Sequence, residues 1–311
     1  MFNLFKDTVR EWREDGAPRL AAALAYYTTF SLAPLLVLII AIAGLVGGRE
    51  AAQTQTMAQV QDLLGAEGRE FVEGMIESAS QTKTGLAATF LGAVTLLVGA
   101  LGVFGELQNS LNTIWEVKPK PAKNWLDGLR RFVIKRLLSF TMVLGIGFLL
   151  LASLIVSAAL SALGEYIGTR WPLADLWLGL INFLISFIVI TLLFAMIFKF
   201  LPEIKIAWKD VWLGAAVTSA LFSLGKFLIG LYLGRSEVGN TFGAAGSLAI
   251  LLIWIYYSAQ ILFFGAEFTQ VYAGRYGSKI VPDPGMVKLT EVERAEKGIP
   301  HEKKLQKAGR Q

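Results

Sequence analysis

Six stretches of the chain, 20–46, 85–108, 137–163, 177–200, 212–233 and 244–272, each run for more than twenty residues with at most one charged side chain. A bilayer hydrocarbon core about 30 Å thick is crossed by about 20 apolar residues of helix. Inside it every backbone polar group must find its partner within the protein, which a helix provides along its own length. The pattern therefore predicts an all-α, polytopic membrane protein with six transmembrane helices. Composition agrees: 54% of the 311 residues are hydrophobic and 17% charged, where an ordinary globular domain carries about 25% charged residues. The first stretch is too long for the apolar region of a secretory signal and has no clear small-residue cleavage site after it, so it is expected to stay attached.

Lys and Arg between the stretches set the orientation. The segments before 20, at 109–136, at 199–211 and from 273 onward hold 23 of them, and the alternate segments hold 5. Both termini are thus expected on the cytoplasmic side. The net charge of +5 follows from this topology, which removes the main support for a nucleic-acid partner.

The segments outside the spans have characters of their own. In 1–19, Phe2, Phe5, Val9 and Trp12 recur at helical spacing beside Lys6, Arg10 and Arg13, which predicts a cytoplasmic interfacial helix. The spans and their connections fill 20–276. Within them, 48–84 reads as a helical hairpin capping the outer face, with Met57, Val60 and Leu64 on one helix and Phe71, Val72, Met75 and Ile76 on the next. Gly65 and Gly68 would break the two. The tail, 277–311, is polar with Pro282, Pro284 and Pro300, and is expected to be disordered apart from at most a short helix near 287–297.

The residue inventory argues against catalysis. With no cysteine and one histidine, His301 in the charged tail, there is no thiolate, no metal-ligand cluster and no histidine pair for acid–base work. No Walker loop or HExxH spacing occurs. No enzyme activity, cofactor or metal is expected.

Charged residues within the apolar stretches are costly, about 2.5–3.5 kcal/mol for a central charge on insertion scales, so they are the candidate functional residues. Lys226 lies in "LFSLGKFLIGLYLG", about 12 Å below the outer end at Gly234. Helical side chains lean toward the N-terminus. Span five runs outward, so the lysine leans to the midplane rather than to water. Asn182, Ser186 and Ser157 are placed at the same depth, and none is a carboxylate. Lys226 is either a deprotonated, accommodated amine or a group in an aqueous cavity holding an anion such as a lipid phosphate. Glu106 and Glu267 lie toward the cytoplasmic ends of spans two and six, with Lys199 and Arg19 at similar depth. Inner-face ion pairing and a gating or substrate role both fit them. In span one Pro34 predicts a kink, with the hydroxyls of Thr28, Thr29 and Ser31 satisfying freed backbone or lining a polar path.

Longer motifs carry a resemblance. "LAAALAYYTTFSLAPLLVLIIAIAGLV", "LQNSLNTIWEV", "LPEIKIAWKDVWLGA", "LGKFLIGLYLG" and "TFGAAGSLAILLIWIYYSAQILFFGAEFTQVYA" together resemble the YihY/BrkB family of bacterial inner-membrane proteins, over roughly residues 5–276. The resemblance implies a multi-pass protein of the bacterial inner membrane. It brings the names virulence factor and ribonuclease BN, the second widely regarded as a misassignment, and a suggestion of lipid transport for some members. The expectation is a membrane protein that binds or moves an anionic amphipathic substrate, a phospholipid or lipid-linked glycan, with membrane lipids as its partners. The competing expectation is an envelope scaffold that transports nothing. The sequence leaves the oligomeric state open.

Overall fold

The computed structural model describes residues 2–80, 102–122, 124–131, 174–235, 246–277 and 280–290, with a few isolated positions between 133 and 148. Spans two and three of the sequence reading fall mostly outside these residues. Among the described residues, three helices are long and apolar enough to cross a membrane, and four if the bent helix α2 counts as one span.

Helix α1 (Phe2–Glu14) ends at Asp15, and Gly16 takes a left-handed φ of 66° before α2 (Ala17–Gly47) begins. Glycine enters that region without a Cβ clash, so the chain turns there and restarts as a helix with Pro18 in its first turn. Helix α2 bends by 47° between Ala17–Ala33 and Leu35–Ala41. Pro34 lies at the bend, and a proline has no N–H to give to the helix's hydrogen-bond ladder.

After Gly48 (φ 85°) the chain reverses into α3 (Arg49–Ser80), one continuous helix of 32 residues. The expected break at Gly65 and Gly68 does not occur. The apolar positions 57, 60, 64, 68, 72 and 76 fall three or four apart and so make a single stripe. In it, Met57, Val60, Val72 and Ile76 pack against Leu36 and Ile40 of α2. Each helical glycine costs about 1 kcal/mol, which this packing outweighs. The hairpin is therefore made by α2 and α3 together. Toward its C-terminal end α3 brings Phe71 to Ala25 of α2 and to Leu251 and Ile255.

Helix α4 spans 102–114 and a short helix α5 spans 125–131. The remaining long helices are α6 (Ala174–Phe200), α7 (Trp208–Arg235) and α8 (Gly246–Arg275). One core joins α2, α4, α6, α7 and α8 through residues such as Leu24, Leu111, Phe198, Val211 and Phe263. Helices α7 and α8 interlock. Thr269 of α8 sits on Gly214 of α7, and Thr218 of α7 sits on Gly265 of α8, so that a Cβ on either glycine would collide with the threonine. Each threonine hydroxyl donates to the carbonyl four residues back, Thr218 to Gly214 and Thr269 to Gly265, both at 2.7 Å. The polar atoms are thus satisfied while the backbones approach closely.

The beginning of the tail is ordered, unlike the expectation. Strand β1 (Val117–Pro119) pairs antiparallel with β4 (Met286–Lys288), and β2 (Ile204–Lys205) with β3 (Val281–Pro282). Leu289 N–H donates to Glu116 O at 2.8 Å and Asp283 N–H to Glu203 O at 3.1 Å. One short segment thereby clasps the loops that follow α4 and α6, and Met286 is buried in the main core.

Candidate functional site

At the clasped end of the bundle, Glu267 of α8 is fully buried, and the side chain its carboxyl meets is that of Asp15, another carboxyl. Three more carboxylates crowd it, Asp15 most strongly, then Glu11 and Glu116. They reach it from α1, from the α1–α2 turn and from the end of α4, where Glu116 has a φ of 53°. No group of three or more carboxylates or histidines among the described residues is arranged to hold a metal ion.

The basic residues expected near the two glutamates are elsewhere. Lys199 Nζ donates to the carbonyl of Ile206 and lies 5.6 Å from the ring centroid of Trp208, while Arg19 is exposed. Glu106 is half-buried on α4. No ion pair joins Glu106 or Glu267 to Lys199 or Arg19 among the described residues. Asp7 instead meets both Arg10 and Arg275 and so ties α1 to the end of α8, and Arg10 also meets Glu11.

Lys226 is exposed on α7 beside exposed Phe227, while Leu224 and Leu228, also exposed, lie about 160° round the helix from it. It makes no ion pair or hydrogen bond among the described residues. Ser186 is half-buried on α6. Ser157 and the side chain of Asn182 lie outside the described residues, so the group proposed around Lys226 is only partly in view. In α2, Thr29 is buried and donates to Ala25 O at 2.8 Å. Ser31 is buried beside Gly102, where a Cβ would stand 3.4 Å from its Oγ. Thr28 is half-buried. Thr29 thus satisfies its own helix, and Ser31 marks the close approach of α2 to α4.

Between α1, α7 and α8 lies a cleft of about 340 Å³, within the range of small-molecule sites. Its walls are apolar: Phe5 and Val9 from α1, Leu221, Leu224 and Leu228 from α7, Ile261 and Phe264 from α8. Phe5 and Phe264 meet with ring centroids 5.3 Å apart. Gly225 brings α7 close enough that a Cβ would stand 2.8 Å from the Tyr257 hydroxyl. Polar atoms are few. Trp12 Nε1 and Gln260 Oε1 are buried without hydrogen-bond partners among the described residues, and Arg13 is the one charged side chain of the lining. The stripe Phe5, Val9, Trp12 read in the sequence as an interfacial face thus faces this cleft, and α1 is held to α8.

Three polar residues escaped the sequence reading. Gln108 donates to Leu201 O at 3.0 Å. Asn112 donates to Glu203 Oε2 at 2.8 Å and accepts from Glu203 N–H at 2.9 Å. Gln270 donates to Ile114 O at 2.7 Å. The four-residue spacing of Gln108 and Asn112 places them on one face of α4, but their partners, Leu201 O and both the N–H and the carboxylate of Glu203, lie some ninety residues away.

Long apolar helices interlocked through glycines, with large hydrophobic side chains turned outward, define a polytopic helical membrane protein. Within that class the chain belongs to the family described as virulence factor BrkB, whose model matches residues 8–288. It is 26% identical over 260 residues to a UPF0761 membrane protein of Alcanivorax borkumensis, covering 83% of this chain and 58% of that one. A UPF0761 membrane protein of Stenotrophomonas maltophilia strain R551-3 is 30% identical over 259 residues, covering 82% and 57%. One of Halorhodospira halophila is 27% identical over 269 residues, covering 86% and 56%. The chain thus spans somewhat more than half the length of these curated relatives. No solved structure matches it.

Proposed function

We propose that the protein is a six-span protein of the bacterial inner membrane, with both termini cytoplasmic, that binds and moves an anionic amphipathic substrate, a phospholipid or a lipid-linked glycan. It does so without catalysis, cofactor or metal. The observation that carries this reading is Lys226. The exposed Trp208 and Trp212 at the start of α7 suit an aromatic belt at the inner interface. Lys226, fourteen residues beyond Trp212, stands about 21 Å farther along the helix, inside a core about 30 Å thick. Ionisable residues inside the membrane are functional candidates; Lys226 has no counter-ion among the described residues, and an anionic headgroup would supply one.

The test is native mass spectrometry of the purified protein with lipid, paired with lipid flux in vesicles, for wild type and Lys226→Met. A defined anionic lipid retained by the wild type and lost with flux in the variant supports the reading. Equal, non-selective lipid on both and no flux overturns it. That outcome favours a scaffold, the reading supported by the α7–α8 interlock and the C-terminal clasp, in which polar residues serve only to hold helices together.

A further inference from the structure

We infer that the cleft between α1, α7 and α8 is a site for a net anionic phospholipid: one acyl chain lies among Phe5, Val9, Leu221, Leu224 and Leu228, and the headgroup, its phosphate charge not cancelled by an ammonium, sits against Arg13. This deepens the proposed function by giving it a second contact point, and rests on that reading only for the anionic character of the substrate.

Three observations bear on the occupant. First, the cleft faces the bilayer, because Leu224 and Leu228 line it and are also among the exposed apolar residues of α7. A hydrocarbon chain from the surrounding leaflet reaches it without crossing water. Second, Arg13 is exposed and has no ion pair among the described residues, whereas Arg10 pairs with Asp7 and Glu11 and Arg275 with Asp7. Of these arginines, Arg13 alone is open to an anion, and a guanidinium fits phosphate oxygens through two parallel N–H donors.

Third, the buried polar atoms can be met by an anionic glycerophospholipid, whose ester and phosphate oxygens accept and whose headgroup hydroxyls donate. Trp12 Nε1–H is a donor for a carbonyl or phosphate oxygen, and Gln260 Oε1 is an acceptor for a hydroxyl. Buried polar atoms are rarely left without partners. A purely apolar occupant, such as the face of another helix, would leave both unsatisfied. Arg13 and Trp12 are adjacent on α1, so one ligand can engage both at the end of the cleft where α1 packs.

The experiment uses the full chain in nanodiscs doped with a phospholipid carrying a photoreactive diazirine in its acyl chain. The headgroup is phosphatidylglycerol in one arm and phosphatidylcholine in the other, and adducts are mapped by peptide mass spectrometry. Adducts are expected on the α1, α7 and α8 peptides that line the cleft, about tenfold more with phosphatidylglycerol. Arg13→Gln should abolish that preference and Arg13→Lys should restore most of it, since a charge-assisted contact accounts for roughly such a factor.

If Arg13→Gln does not fold, the comparison of the two headgroups on the wild type decides alone. Adducts spread over all exposed apolar faces, or equal labelling by both headgroups, would overturn the inference. An unlabelled cleft on a chain that migrates as a dimer would overturn it too and assign this face to a second copy. Failure of the two proposals is separable: labelling of the cleft without vesicle flux leaves the site standing and removes transport, while flux with an unlabelled cleft removes the site alone.

Discussion

Glu267 is a residue whose surroundings oppose its charge. Its carboxyl is fully buried, meets the side chain of Asp15, and lies in the field of the carboxylates Asp15, Glu11 and Glu116. Burial of a polar group without compensation is unfavourable by a few kcal/mol, and like charges in one place add to this. Glu267→Gln keeps the shape and removes the charge. It is expected to stabilise the protein by about 1–3 kcal/mol, read as a higher midpoint of thermal unfolding in detergent. A lower midpoint would show that a group in the membrane-embedded protein holds the carboxylate. Lys226 poses the complementary case, a cation among exposed apolar side chains, and its variant is read by bound lipid rather than by stability.

At the scale of elements, the α7–α8 pair is held by small residues rather than by charge. Gly214→Ala must push Thr269 aside, and Gly265→Ala must push Thr218 aside. Overpacking of a tight contact costs about 1–3 kcal/mol, so each should lower the unfolding midpoint. Gly274→Ala, where a Cβ meets nothing within 4 Å, should stay within about 0.5 kcal/mol of wild type. An equal loss at all three positions would show that the interlock does not set these two glycines apart, since helix propensity alone favours alanine over glycine. The same elements show what a sequence can disclose. The long apolar runs gave α2, α6, α7 and α8, and Pro34 stands at the bend of α2. The apolar residues of α3 show in the sequence as two groups, and Gly65 and Gly68 between them suggest two helices, whereas Gly68 is a buried position of one. The clasp was not legible: strands of two or three residues have no period to detect, and their partners lie about eighty and a hundred and seventy positions away. Nor was the cleft, because Val9, Leu224 and Ile261 meet only through the packing of three separate helices.

For the molecule as a whole, the two ends differ in how they are built. Helix α8, thirty residues long, extends about 45 Å, some 15 Å more than a hydrocarbon core requires. Its C-terminal third, which carries Glu267, Gln270 and Arg275, therefore reaches the interface. There α1, the end of α4, the α6–α7 loop and residues 280–289 are joined to it by backbone pairing and by the Asp7–Arg275 contact. In the proposed orientation this joined end is cytoplasmic, and the start of α3 lies on the opposite side. Because the chain has no cysteine, single cysteines report the orientation without a background. Thr54 near the start of α3 and Lys205 in β2 are both exposed. Thr54→Cys is expected to react with a membrane-impermeant maleimide added to intact spheroplasts. Lys205→Cys should react only after the membrane is opened. Labelling of Lys205→Cys in intact spheroplasts would reverse the orientation and with it the side from which the Arg13 cleft receives lipid. Labelling of both from one side would require an odd number of crossings to separate into an even one between these positions, and the six-span arrangement would fall.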